Sequence, residues 1–247
     1  MNFIIEMKEI FLDNYISFIR GTLLTLLISF VGTIIGLLIG MLIGVVKTTP
    51  EGNNKIKNFF LRFVKILMNI YVQVLRGTPM IVQSVLFYYG SMLAFGWDLN
   101  PLIAAFVVVS INTGAYLAEV VRGGINSIDK GQFEAASALG MNHRQTMLHV
   151  VLPQAFKNII PSIGNEFIVN IKDTSVLNVI SVNELFFSTK SIAGASFLYT
   201  QTYLIASIIY LALTLSVAGL LHLLERKIKG SDSYEKTDFS DVLKSAN

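Results

Sequence analysis

The sequence predicts an all-α polytopic membrane protein, with about five transmembrane helices and a helical cytoplasmic insertion between the third and the fourth. Three observations predict it. Of 247 residues, 53% are hydrophobic and only 14% charged, where soluble domains carry about a quarter charged residues. Apolar segments recur that are long enough to cross the hydrocarbon core, about 20 residues each. The polar segments between them are too short for a soluble domain. Residues 1–230 therefore read as one transmembrane domain, and the charged stretch 231–247 as a disordered tail.

The first span covers about 22–46. Gly32, Gly36, Gly40 and Gly44 recur at every fourth position and line one helix face, where small residues let another helix approach closely. The N-terminus does not read as a secretory signal. Glu6, Glu9 and Asp13 stand where a basic region would, and the first apolar run is too long. The second span, about 59–92, is interrupted by Arg76-Gly77-Thr78-Pro79. Such a break at membrane depth is tolerated where it is buried in protein or lines a cavity. Trp97 follows as an interface anchor. The third span is about 102–121.

Residues 126–153 then form a polar insertion. Gln132 to Pro153 reads as two short helices. Gly140 suits a left-handed C-terminal cap, Asn142 with Gln145 suits a capping box, and Pro153 stops the second helix or starts the next element. The fourth span, about 156–182, is unusually polar. The fifth is about 199–224.

Orientation follows from Lys and Arg. Lys47, Lys55, Lys57 and Arg62, then Arg122, Lys130, Arg144 and Lys157, then Arg226, Lys227 and Lys229 fall on one side. Lys8, Arg20 and Lys190 fall on the other. The positive-inside rule puts the N-terminus outside and the C-terminus and the insertion in the cytoplasm.

Ionisable residues inside a membrane mark functional sites by default. Arg76, Glu166, Lys172 and Asp173 form that set, with Thr78, Gln83 and Asn170 beside them. Glu166 and Asp173, seven apart, share a helix face. Lys172 and Asp173 point about 100° apart and need not pair. An amino acid zwitterion fits such a set: Arg76 for the carboxylate, and Glu166 or Asp173 for an ammonium or a cationic side chain. The same charges could equally neutralise one another and hold helices in register.

Several classes are excluded or thin. Net charge is only +3, and there is no cysteine, so disulfides and thiolate metal sites are ruled out. His143 and His149 lack a third ligand nearby, and no metal is expected. No G-x-x-x-x-G-K-[ST] loop is present, so another chain must bind any ATP. No catalytic residues are identified.

Glu134-Ala135-Ala136, Gly140 and Leu152-Pro153 resemble the EAA loop of permease subunits of bacterial ABC importers. VVRGGINSIDKGQFEAASALG, VLPQAFKNIIPSIGNEFIVNIKDTS and VLRGTP are similar to the branch that imports polar amino acids. The resemblance runs over about residues 16–229. It implies that the insertion is a coupling helix docking into a groove of an ATPase subunit, with ATP and Mg on that subunit and no cofactor in this chain. Glu134 would contact the ATPase or hold the loop, the Ala pair would keep the helix slim, and Gly140 would allow the turn. The implied partners are ABC ATPase subunits, a second permease in a homodimer or heterodimer, and an external substrate-binding protein, at a bacterial cell membrane. The expected cargo is a polar amino acid. Arginine, lysine or histidine is slightly favoured, with glutamine or cystine as the alternative. A secondary carrier or channel would explain the charges but not the EAA-like loop.

Overall fold

The computed structural model describes residues 2–229, and the tail 231–247 lies outside the described residues. Among those described, every regular element is helical. The longest, α1 (Asn2–Thr48), begins well before the apolar run at Thr22. At 1.5 Å per residue it is about 70 Å long, about twice the hydrocarbon thickness.

The centre of the bundle is the seam between α1 and α4 (Pro101–Asn126). The glycine ladder fits into a second ladder of the same spacing: Gly32 meets Val109, Gly36 meets Thr113, Gly40 meets Leu117 and Gly44 meets Val121. The two sets of numbers rise together, so the helices run parallel. A Cβ on Gly40 would stand 2.8 Å from the Leu117 carbonyl carbon and 2.9 Å from the Ala118 nitrogen. That distance is to backbone, which cannot swing aside, so the small-residue face is what permits this approach. Ala104, Ala105, Val108, Ala115 and Leu117 are completely buried along α4.

The interrupted second span is two helices, α2 (Lys55–Gly77) and α3 (Met80–Phe95). Asn54 caps α2 by accepting from the Ile56 and Lys57 amides. Glu51 sits in the preceding loop, where the Arg62 guanidinium, hydrogen-bonded to it, holds its carboxyl below the usual range. Pro79 starts α3, and Gly96 at φ 68° ends it.

The insertion forms α5 (Lys130–Ala138) and α6 (His143–Thr146). After α6 the chain does not stop at Pro153. It widens into a π-turn, Met147–Val151, and continues as α7 (Leu152–Asp173). Proline lacks the amide and crowds the carbonyl four residues back. The wider turn just before it accommodates both. The last part of the expected fourth span is a 3-10 turn, Thr174–Ile180. A short helix that the sequence did not reveal follows, α8 (Leu185–Ser196), and then α9 (Tyr199–Lys229).

Among the described residues four helices are long and apolar enough to cross a membrane: α1, α2, α4 and α9. The shorter α3 is apolar, and α7 falls outside this set through its polar residues. Of the basic residues in the charge count, Lys47 and Arg122 meet at Glu119, and nearby Lys65 donates to the Thr49 carbonyl.

Candidate functional site

The insertion is built as a doubly capped lever. At the end of α5 the Gly140 amide donates to Ser137 O and the Met141 amide to Ala136 O, with Gly140 at φ 75°. This is a Schellman closure, and only a residue free of Cβ strain takes that φ without cost. Asn142 then caps α6 reciprocally: its Oδ1 accepts from the Gln145 amide at 3.0 Å, and Gln145 Oε1 accepts from the Asn142 amide at 2.9 Å. Val121 and Ile125 near the end of α4, and Ile128 just after it, pack with Met147, Val151, Ala155 and Ile159, and Met41 and Val45 of α1 lie against them. This apolar joint ties the lever to both α4 and α7.

Of the residues expected to couple, Glu134, Ala135, Gly140 and Pro153 are exposed, Leu152 is half-buried and Ala136 is buried. Glu134 makes no ion pair among the described residues. Ala136 therefore faces the lever's own core, and only Ala135 of the pair faces outward. The sequence reading missed Leu139, which is 82% exposed beside the Gly140 turn.

The membrane candidates divide into two groups. Gln83, Thr78 and Asn170 hold helices together. Leu75 O would ordinarily accept from the amide four residues on, which is Pro79 and has none. Gln83 Nε2 donates to it at 2.8 Å, and also to Thr78 O and Oγ1 at 3.0 Å. Gln83 Oε1 in turn accepts from Asn112 Nδ2 at 2.9 Å. Gln83 thus replaces the missing donor of the break. Asn170 is buried, donating to Thr33 Oγ1 at 2.9 Å and Thr113 Oγ1 at 3.0 Å, so it joins α1, α4 and α7.

An unpaired buried carbonyl costs about 1–3 kcal/mol. Gln83→Leu should lower the melting temperature of the purified protein in detergent. In a Pro79→Ala background, where an amide is restored, the same substitution should lower it less. Equal losses in both backgrounds would contradict the repair.

Arg76, Glu166 and Asp173 form the second group. Arg76 is exposed and lies over the Tyr116 ring at 5.3 Å. Glu166, half-buried, lies within electrostatic range of both Asp173 and Arg76. No two of the three are within ion-pair distance among the described residues, so their charges remain available. Lys172 turns away, lining a cavity of about 420 Å³ with Ser175, Ser207, Tyr210 and Thr214.

Glu184, also missed, is completely buried. It caps α8 through the Phe186 and Phe187 amides at 2.9 and 2.7 Å, and accepts from Tyr210 at 3.2 Å. Its only sequence signal is an acid just before an apolar run.

Comparisons with known proteins agree with this architecture. Residues 36–230 match the family described as Binding-protein-dependent transport system inner membrane component. The arginine transport system permease protein ArtQ of Bacillus subtilis is 38% identical over 166 residues, covering 67% of this chain and 76% of that protein. The glutamine transport system permease protein GlnP of Escherichia coli K12 is 38% identical over 161 residues, covering 65% and 74%. A crystal structure of an amino acid ABC transporter with histidines superposes with a TM-score of 0.78 at 36% identity, covering 87% of this chain and 96% of that one. The methionine transporter MetNI, in an inward-facing form, shares the fold alone, with a TM-score of 0.64 at 20% identity. The chain belongs to the binding-protein-dependent transport system inner membrane components, and within them to the amino acid permeases of ABC importers, whose ATP is hydrolysed by a separate subunit.

Proposed function

We propose that this permease moves a polar amino acid from an external binding protein into the cytoplasm of a bacterial cell, its N-terminus outside and its C-terminus inside. One observation carries the mechanism: the exposed lever of α5 and α6 meets, through an apolar joint, α4 and α7, the helices that hold Tyr116, Glu166 and Asp173. Two ATPase subunits holding ATP and Mg would seat the levers of two permease subunits, identical or paired as a heterodimer. Their closure would draw the levers together and swing the bundles between outward- and inward-open states.

In the pathway Arg76 takes the cargo's α-carboxylate, and Glu166 with Asp173 takes its positive end. Two acids against one base favour a cationic side chain. The relatives are divided between permeases named for arginine and for glutamine, so the preference rests on those acids. Stimulation of ATPase activity in the reconstituted complex by arginine, lysine, histidine, glutamine and cystine tests it. Arginine and lysine should stimulate most. A response to glutamine with none to arginine or lysine would reject the basic cargo and leave the importer class standing.

A further inference from the structure

A cavity of about 670 Å³ opens between α2 and α4, next to the end of α1. Its upper wall is Arg76 at the break, under which Tyr116 lies. Its lower wall is the trio of Lys47, Glu119 and Arg122. Between them Asn69 and Gln73 line the side. Asn69, Gln73 and Arg76 stand at intervals of four and three on α2, which is one helix face. The remaining exposed surface of that helix segment is Ile66, Leu67, Ile70 and Val74. A polar stripe on a spanning helix faces water or protein, not lipid. The stripe runs about 10 Å along the axis.

The charge in this cavity is unbalanced. Three cationic side chains face one carboxylate. Glu119 bonds to both Lys47 and Arg122, and Arg76 has no acid within ion-pair distance among the described residues. A cleft with an excess of positive charge attracts an anion. Every α-amino acid carries one such group, whatever its side chain.

Building on the amino acid reading above, we infer that this cavity is the exit half of the path and that its ligand is the cargo's α-carboxylate. The carboxylate passes from Arg76, along Gln73 and Asn69, to Lys47 and Arg122. Selection by side chain belongs to Glu166 and Asp173. Release is therefore blind to the side chain.

The chain contains no cysteine, so Asn69→Cys or Gln73→Cys gives the permease a single thiol. Both positions are exposed, and the change leaves the packing intact. In inside-out vesicles holding the whole importer, two methanethiosulfonate reagents are compared, one bearing sulfonate and one bearing trimethylammonium. Each rate is read on the mass of the permease and divided by that reagent's rate with free cysteine. The sulfonate reagent should then lead by roughly tenfold, as the field of an electropositive cleft allows. In parallel, an Asn69→Leu/Gln73→Leu permease should lower turnover by the same factor for every amino acid the parent carries, with external half-saturation unchanged. Equal labelling, faster labelling by the cation, unchanged turnover or a changed order of substrates would each overturn the inference. A parent importer that carries no amino acid would instead overturn the function it rests on.

Discussion

Gly140→Pro and Glu134→Arg should each stop ATP-driven uptake while leaving the amount of inserted permease unchanged. The two changes reach the lever differently. Gly140 sits at φ 75° and its amide closes α5 on Ser137. Proline is locked near φ −65° and has no amide. The turn must open, and Leu139 and the capped start of α6 lose their setting. Neither residue contacts the α1–α4 seam, so insertion and melting temperature should change little. Glu134 is exposed, and reversing its charge alters only what docks there. Coupling between sites is typically worth about 1–3 kcal/mol, a factor of roughly 5–150. Uptake in reconstituted vesicles should fall by at least that factor, with ATP hydrolysis persisting but uncoupled. Unchanged uptake in both variants would remove the lever from the mechanism.

Arg76→Gln and Glu166→Gln separate the two ends of the cargo. A hydrogen bond to a charged group contributes about 1.5–3 kcal/mol, so Arg76→Gln should reduce uptake of every amino acid by roughly ten- to a hundredfold. Glu166→Gln should reduce arginine and lysine by a similar factor and spare glutamine. Competition assays with labelled amino acids measure both. The reverse pattern, with Arg76→Gln selective and Glu166→Gln general, would exchange their roles. Parallel losses from both, together with a lower melting temperature, would mean that the charges hold helices in register.

The apolar runs were legible in the sequence because crossing a bilayer demands length and composition together. The glycine ladder was legible as a packing face, since its spacing of four repeats three times. Its partner was not. Val109, Thr113, Leu117 and Val121 carry no mark that separates them from the other residues of α4. The caps at Gly140, Asn142 and Gln145 were legible because capping is chemistry local to a few residues. Gln83 was visible as a polar residue, but its task depended on folding back over Pro79 to reach Leu75 O. Asn170 was likewise visible as a polar residue, but its hydrogen bonds to Thr33 and Thr113 join positions far apart in sequence. Helix α8 was hidden between two longer apolar stretches, and its cap Glu184 is buried by contacts from α1 and α9.

A photoreactive residue placed at Leu139, in inverted membrane vesicles containing the native complex, probes the lever where it is most displayed. The expected product is a single adduct with the combined mass of the permease and the ATPase, lost when the ATPase is stripped from the membrane. Illumination that yields no such adduct, while the complex still imports its amino acid, would contradict the transmission of ATP-driven motion through α5 and α6.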